Sequence, residues 1–136
     1  MANEFYGSGG TEIASGNINW LTDTFKVQLC DSNYVFDRTA HNNFSDVTVG
    51  GRVGTSVTVT NPTLVEGKLD ADDVIFSAVG GGVTPPTITH YVLYKDTGLE
   101  ATSTLLAHFD ASTGLPVLTN GGDITIQWDS LGVVQL

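Results

Sequence analysis

Phe25, Val27 and Leu29 alternate with Thr24, Lys26 and Gln28. A period of two is what a strand with one buried face imposes, because successive side chains leave the backbone on opposite sides. Val57 and Val59 alternate in the same way with Ser56, Thr58 and Thr60, as do Ile124, Ile126 and Trp128 with Thr125 and Gln127. Shorter or less regular runs predict further strands over residues 64–69, 74–77, 88–95, 105–109 and 133–136. Tyr91, Val92, Leu93 and Tyr94 are apolar or aromatic without a break, which places that strand centrally, under cover on both faces.

Turn-forming residues separate these runs at Gly50-Gly51, Asn61-Pro62, Gly80-Gly81-Gly82 and Asn120-Gly121-Gly122. Asn and Gly reach the positive φ values of tight turns at low cost. The last cluster, between residues 117–119 and the strand starting at Ile124, reads as a hairpin turn. Two stretches lack strand periodicity. Residues 1–16 are polar and Gly-rich around Phe5 and Tyr6, which predicts a flexible arm that orders against a neighbour. Residues 31–49 gather Asn, Asp and His around Phe44 and predict a long loop, with one helical turn over 41–46. The expected architecture is therefore all-β: an N-terminal arm over 1–16 and a single β domain over 17–136. Turn signals recurring about every 8–12 residues imply a sandwich or jelly-roll-like barrel of roughly eight strands.

Composition narrows the functional classes. The 136 residues carry five Lys and Arg against fifteen Asp and Glu, a formal charge of −10. Such a charge repels phosphate backbones and anionic bilayers, so neither a nucleic acid nor a membrane is an expected partner. No run approaches the roughly 20 apolar residues of a membrane span, and Met1-Ala2-Asn3-Glu4 does not read as a secretory signal. Cys30 is the one cysteine; it has no intrachain partner and reads as a small buried apolar residue.

The motifs with chemical potential each have a plainer reading. Asp96-Thr97-Gly98 matches the tripeptide of aspartic proteases, but it occurs once, and that chemistry needs two carboxylates sharing a proton. A strand end followed by a turn accounts for it. Asp70-Ala71-Asp72-Asp73 offers oxygens to a hard cation yet lacks the Gly and distal Glu of a full calcium loop. His41, His90 and His108 stand far apart in sequence, at no metal-ligand spacing. No nucleophile elbow or phosphate-binding loop is present, and Asn43-Phe44-Ser45 matters as a glycosylation acceptor only in a secreted eukaryotic protein. No catalytic residue, cofactor or metal is expected. Trp20, Trp128 and the tyrosines leave open a carbohydrate-binding platform, against the alternative that Trp128, in phase with Ile124 and Ile126, is core.

Five segments in order carry a resemblance: Ile18-Asn19-Trp20-Leu21-Thr22-Asp23-Thr24-Phe25-Lys26-Val27, His41-Asn42-Asn43-Phe44-Ser45-Asp46-Val47, Leu69-Asp70-Ala71-Asp72-Asp73-Val74-Ile75-Phe76, Tyr94-Lys95-Asp96-Thr97-Gly98 and Asn120-Gly121-Gly122-Asp123-Ile124-Thr125-Ile126-Gln127-Trp128-Asp129. Over about residues 17–136 the chain is similar to small virion structural proteins of tailed bacteriophages. The resemblance implies a non-enzymatic decoration, or cement, protein on the outer capsid surface, present in the host cytoplasm during assembly. Its implied partners are the major capsid protein lattice and further copies of itself, a trimer before a dimer. A tail or head-to-tail connector role is the alternative within the particle. Phe5 and Tyr6, the apolar pair of the arm, are the expected partner-binding residues.

Overall fold

The computed structural model describes residues 4–111, 114–128 and 132–135. In chain order the elements are β1 (Glu4–Phe5), α1 (Gly7–Ala14), β2 (Phe25–Cys30), β3 (Arg52–Thr58), β4 (Thr63–Val65), β5 (Lys68–Asp70) and β6 (Val74–Phe76). They continue with β7 (Thr87–Ile88), β8 (His90–Lys95), β9 (Leu105–Phe109), β10 (Val117–Leu118), β11 (Ile124–Ile126) and β12 (Val134–Gln135). The fold is all-β; among the described residues there is one short α-helix and every strand pairing is antiparallel.

A five-stranded sheet in the order β1-β9-β8-β2-β3 forms the centre, with β8 in the middle as its apolar run predicts. Among the described residues three small sheets, β10-β7, β11-β6 and β12-β5-β4, complete the strand set, and no sheet closes into a barrel. Alternation sorts the central strands onto two faces. Val27, Leu29, Tyr91, Leu93 and Phe109 point to one side, where they pack on Leu69, Val74, Phe76, Ile88 and Ile126 from the small sheets. Cys30, Val92, Tyr94 and Leu105 point to the other, under Tyr6, Tyr34, Phe44 and Val47. Thus residues 31–49, predicted as a loop, form the lid over the second face, and their helical turn is a single 3-10 turn at Phe44–Asp46.

The expected arm is not an arm over its described part. Glu4 and Phe5 pair with His108 and Ala107, Tyr6 is fully buried, and α1 lies along β9. The Gly-rich segment folds because it is small: a Cβ at Gly9 would stand 2.5 Å from the Leu106 carbonyl oxygen, so glycine is what lets the helix reach the sheet backbone. Packing of this kind overrides low intrinsic helix propensity.

Two further expectations are corrected. Residues 64–69 are not one strand but the hairpin β4–β5, turning at Glu66 and Gly67, whose φ values are 53° and 75°. Two consecutive positive φ values are the mark of a type I′ turn. Asn120-Gly121-Gly122 makes no hairpin either, since β10 pairs with β7 and β11 with β6. Instead it clasps the other glycine loop: Val79 N–H donates to the Gly122 carbonyl and Gly121 N–H to the Val79 carbonyl, both at 2.9 Å. A Cβ at Gly81 would lie 2.7 Å from Gly121 N. The glycines are there for the close approach of two loops.

Candidate functional site

Between the second face of the sheet and its lid lies a cluster of polar aromatic side chains. β8 and β9 place His90 and His108 diagonally across one strand pair, with His108 opposite Val92. The two rings meet through His90 Nδ1 and His108 Nε2 at 2.7 Å, and both side chains are buried. His90 Nε2 stands 2.8 Å from the Asp31 carbonyl oxygen. A carbonyl only accepts, so His90 Nε2 carries the proton; in the neutral pair its Nδ1 then accepts from His108 Nε2–H.

Aromatic contacts tie the pair to its cover. Tyr34 stacks on His90 at 5.4 Å between ring centroids, and Phe36 stacks on His108 at 4.1 Å, nearly parallel. Tyr6 meets Phe36 and His108 edge-on. The hydroxyls of Tyr6 and Tyr34 are 2.7 Å apart, and the Tyr34 hydroxyl is 3.0 Å from His41 Nδ1. All three histidines therefore converge, through Tyr34, although their sequence spacing gave no sign of it. The antiparallel β8–β9 pairing brings His90 and His108 together; residues 31–49 deliver His41.

Two tyrosines and the cysteine nearby are held in their uncharged forms. Burial pushes the Tyr6 hydroxyl far up, with the Tyr34 hydroxyl adding to it, and pushes Tyr34 up to about 12. Burial likewise raises the Cys30 thiol to about 12, so it is no thiolate nucleophile at neutral pH. Among the described residues no group of three or more His, Cys, Asp or Glu side chains is arranged to hold a metal ion. The cluster is an interior network of hydrogen-bonded and stacked polar aromatic side chains.

The other candidates resolve separately. Phe5 is half-buried against the main core and Tyr6 is wholly inside, so Tyr6 is not available as a partner-binding residue. Asp96 closes a turn, accepting from Gly98 N–H at 3.1 Å and pairing with Lys26 at 3.5 Å. Asp72 accepts from the Asn61 side-chain amide, and Asp70 from Ala71 N–H. Trp20 is buried, its indole N–H shared by the Thr63 and Asp70 carbonyls. Trp128 donates to the Asp72 carbonyl and leans on Tyr91 and Phe109. Trp20 is thus core, and Trp128 is half-buried against the main core.

The outer surface has a different character. Lys26, Lys95 and Arg52 are engaged with Asp96, Asp23 and Glu100, which leaves the excess of carboxylates to dominate. Val35, Val49, Leu64, Val65, Ile75, Leu99 and Leu118 are exposed among them. Beside β3 and β6, both at sheet edges, a groove of about 390 Å³ is lined by uncharged residues from Gly54 to Val57 and Ile75 to Gly80. No described helix is long and apolar enough to cross a membrane. No protein-family model matches the chain, and no curated protein matches it.

Proposed function

We propose that the chain is a non-enzymatic structural protein of a tailed-phage particle that binds the outer face of the capsid lattice and stabilises it. The observation that carries this reading is the division of the molecule. Its imidazoles, thiol and most of its tyrosines are engaged inside, while the exterior offers carboxylates interspersed with aliphatic side chains. Such a protein acts through its surface rather than through reaction chemistry. The ordered likeness of residues 17–136 to small phage virion proteins supplies the lattice as the partner. The acidic exterior favours the outside of the shell, since a charge of −10 beside packaged DNA is repelled.

A protein that binds the assembled lattice and not its dispersed subunits stabilises the shell by mass action, about 2.7 kcal/mol per site when free protein is a hundredfold above its dissociation constant. Capsids lacking the chain are expected to assemble, to release DNA at a lower temperature, and to recover in a saturable way when purified protein is added. Light scattering on the free protein tests the accompanying expectation of a closed homo-oligomer, a trimer before a dimer. Added protein that neither binds expanded capsids nor shifts their release temperature rejects the decoration role. Few copies per particle, found only at the neck or tail, would then select the connector reading.

A further inference from the structure

We propose that Asn120 is a self-modification site, an asparagine whose side-chain amide is converted to a carboxylate by attack of its own backbone, and that the clasp between the two glycine loops sets the rate. Asn120 is the one asparagine of the chain followed by glycine. The reaction favours that neighbour. The backbone nitrogen of the next residue attacks the side-chain carbonyl carbon, and glycine puts no Cβ in the path of the five-membered ring that forms. A bond forms between Gly121 N and Asn120 Cγ, the Cγ–Nδ2 bond breaks, and ammonia leaves with the proton from Gly121 N. Water then opens the cyclic imide at one of its two carbonyls, giving aspartate or isoaspartate in place of Asn120. Water is the one co-reactant.

Two features of the site favour the attack and one withholds it. Asn120, Gly121 and Gly122 are exposed, so water reaches them. Asn120 Oδ1 accepts from Gly122 N–H at 2.8 Å, which draws electron density away from Cγ. The attacking nitrogen, however, is occupied. Gly121 N–H donates to the Val79 carbonyl, and Val79 N–H donates to the Gly122 carbonyl, both at 2.9 Å. Ring closure requires Gly121 N to lose its proton and turn toward Cγ, so the first of these bonds has to open. Gly81 N–H, donating to Thr119 Oγ1 at 3.1 Å, fastens the same two loops at a second point. Conversion therefore proceeds from the fraction of molecules whose clasp is open, as exchange of a protected amide does.

The modification acts back on the clasp, and the clasp joins two of the small sheets. Residues 78–82 lie between β6 and β7, and residues 119–122 between β10 and β11, while β6 pairs with β11 and β7 with β10. Isoaspartate adds a methylene to the main chain just before Gly121. That displaces Gly121 N and the Gly122 carbonyl from their places opposite Val79. Aspartate leaves the main chain unchanged, and its carboxylate still accepts from Gly122 N–H. The isoaspartate product unfastens the junction and the aspartate product keeps it.

Peptide mapping of the intact chain during incubation at mildly alkaline pH tests this, with the chain unfolded in guanidinium chloride as the open reference. In the unfolded chain Asn120 is expected to convert faster than any other asparagine. In the folded chain it is expected to convert about tenfold more slowly or less, since hydrogen bonds of the clasp must open first. Gly81→Ala puts a Cβ 2.7 Å from Gly121 N and is expected to raise the folded rate toward the unfolded one, with amide protection in the β2–β8 ladder kept. Thr119→Val removes the acceptor of Gly81 N–H and keeps the backbone bond from residue 119 to the Pro86 carbonyl; it serves should the first variant fail to fold. Amide exchange at Val79 is expected to quicken in the isoaspartate chain isolated after ageing, and to hold in Asn120→Asp. A folded rate equal to or above the unfolded one, an unchanged rate in the variant that folds, or an acceleration shared by the β2–β8 ladder overturns the control by the clasp. An isoaspartate chain in which Val79 stays protected overturns the unfastening.

Discussion

Gln28 occupies the middle of β2, on the polar phase of the alternation, yet it is buried. The irregularity beside it explains why. Leu29 pairs with Val53 and Val27 with Val57, so between these pairs three residues of β3 arch over one of β2. Gly54, at φ 71°, makes the bend. The arch takes Val53 and Gly54 out of a regular ladder, and the Gln28 amide fills the gap. Its Nε2 donates to the carbonyls of Leu29, Val53 and Gly54 at 2.9–3.1 Å, while its Oε1 accepts from Ser56 Oγ at 2.9 Å. Gln28→Leu keeps the volume and removes every one of these partners. Because a buried carbonyl left without its donor costs about 1–3 kcal/mol, the variant is expected to lose about that much stability, read as a lower urea midpoint. A cost below about 0.5 kcal/mol, within the range of ordinary surface changes, would mean that water or backbone adjustment satisfies the arch.

At the scale of elements, the β4–β5 hairpin carries its own test. Glu66 sits at φ 53°, where an ordinary L residue is disfavoured and Asn is among the best tolerated. Its side chain is exposed, so Glu66→Asn changes the turn and little else. It is expected to raise stability by about 0.5–1 kcal/mol, the usual yield of matching a residue to its backbone, as an upward shift in Tm. Equal or lower stability would mean that the turn relaxes to another form. The same hairpin shows why some elements were readable from sequence and others were not. β8 stood out because a continuous apolar run has no alternative to burial. Residues 64–69 looked like one strand because Leu64, Val65 and Leu69 mask a two-residue turn whose only signal is Gly67. Asn120-Gly121-Gly122 misled for the opposite reason: its signature is that of a hairpin, while its use is to let one loop lie on another. The N-terminal segment was misread because a small, polar composition describes both a free arm and a helix that must approach a sheet closely. The histidine cluster could be found only from the pairing of β8 with β9, which no spacing along the chain encodes.

For the whole molecule, the two-sided sheet makes Cys30 a reporter of global opening. The thiol is fully buried on the second face and raised to about 12, so both access and ionisation protect it. Its reaction with a thiol reagent at neutral pH is expected to follow unfolding, with a rate that rises in parallel with denaturant-induced loss of structure. Rapid labelling of the native protein would show instead that the lid opens often by itself.

The pairing of β1 with β9 also sets an order of events at the ribosome. Phe5 lies opposite Ala107, so β1 waits for a partner about a hundred residues downstream. At elongation speeds of 5–20 residues per second that delay is roughly 5–20 s. Throughout it Tyr6 has no pocket and the segment from Glu4 to Ala14 has no surface to fold on. The lid is synthesised in the same interval and likewise lacks β8 and β9 beneath it. Closure of the second face therefore waits for β9, when the β8–β9 pair completes the floor for both coverings at once.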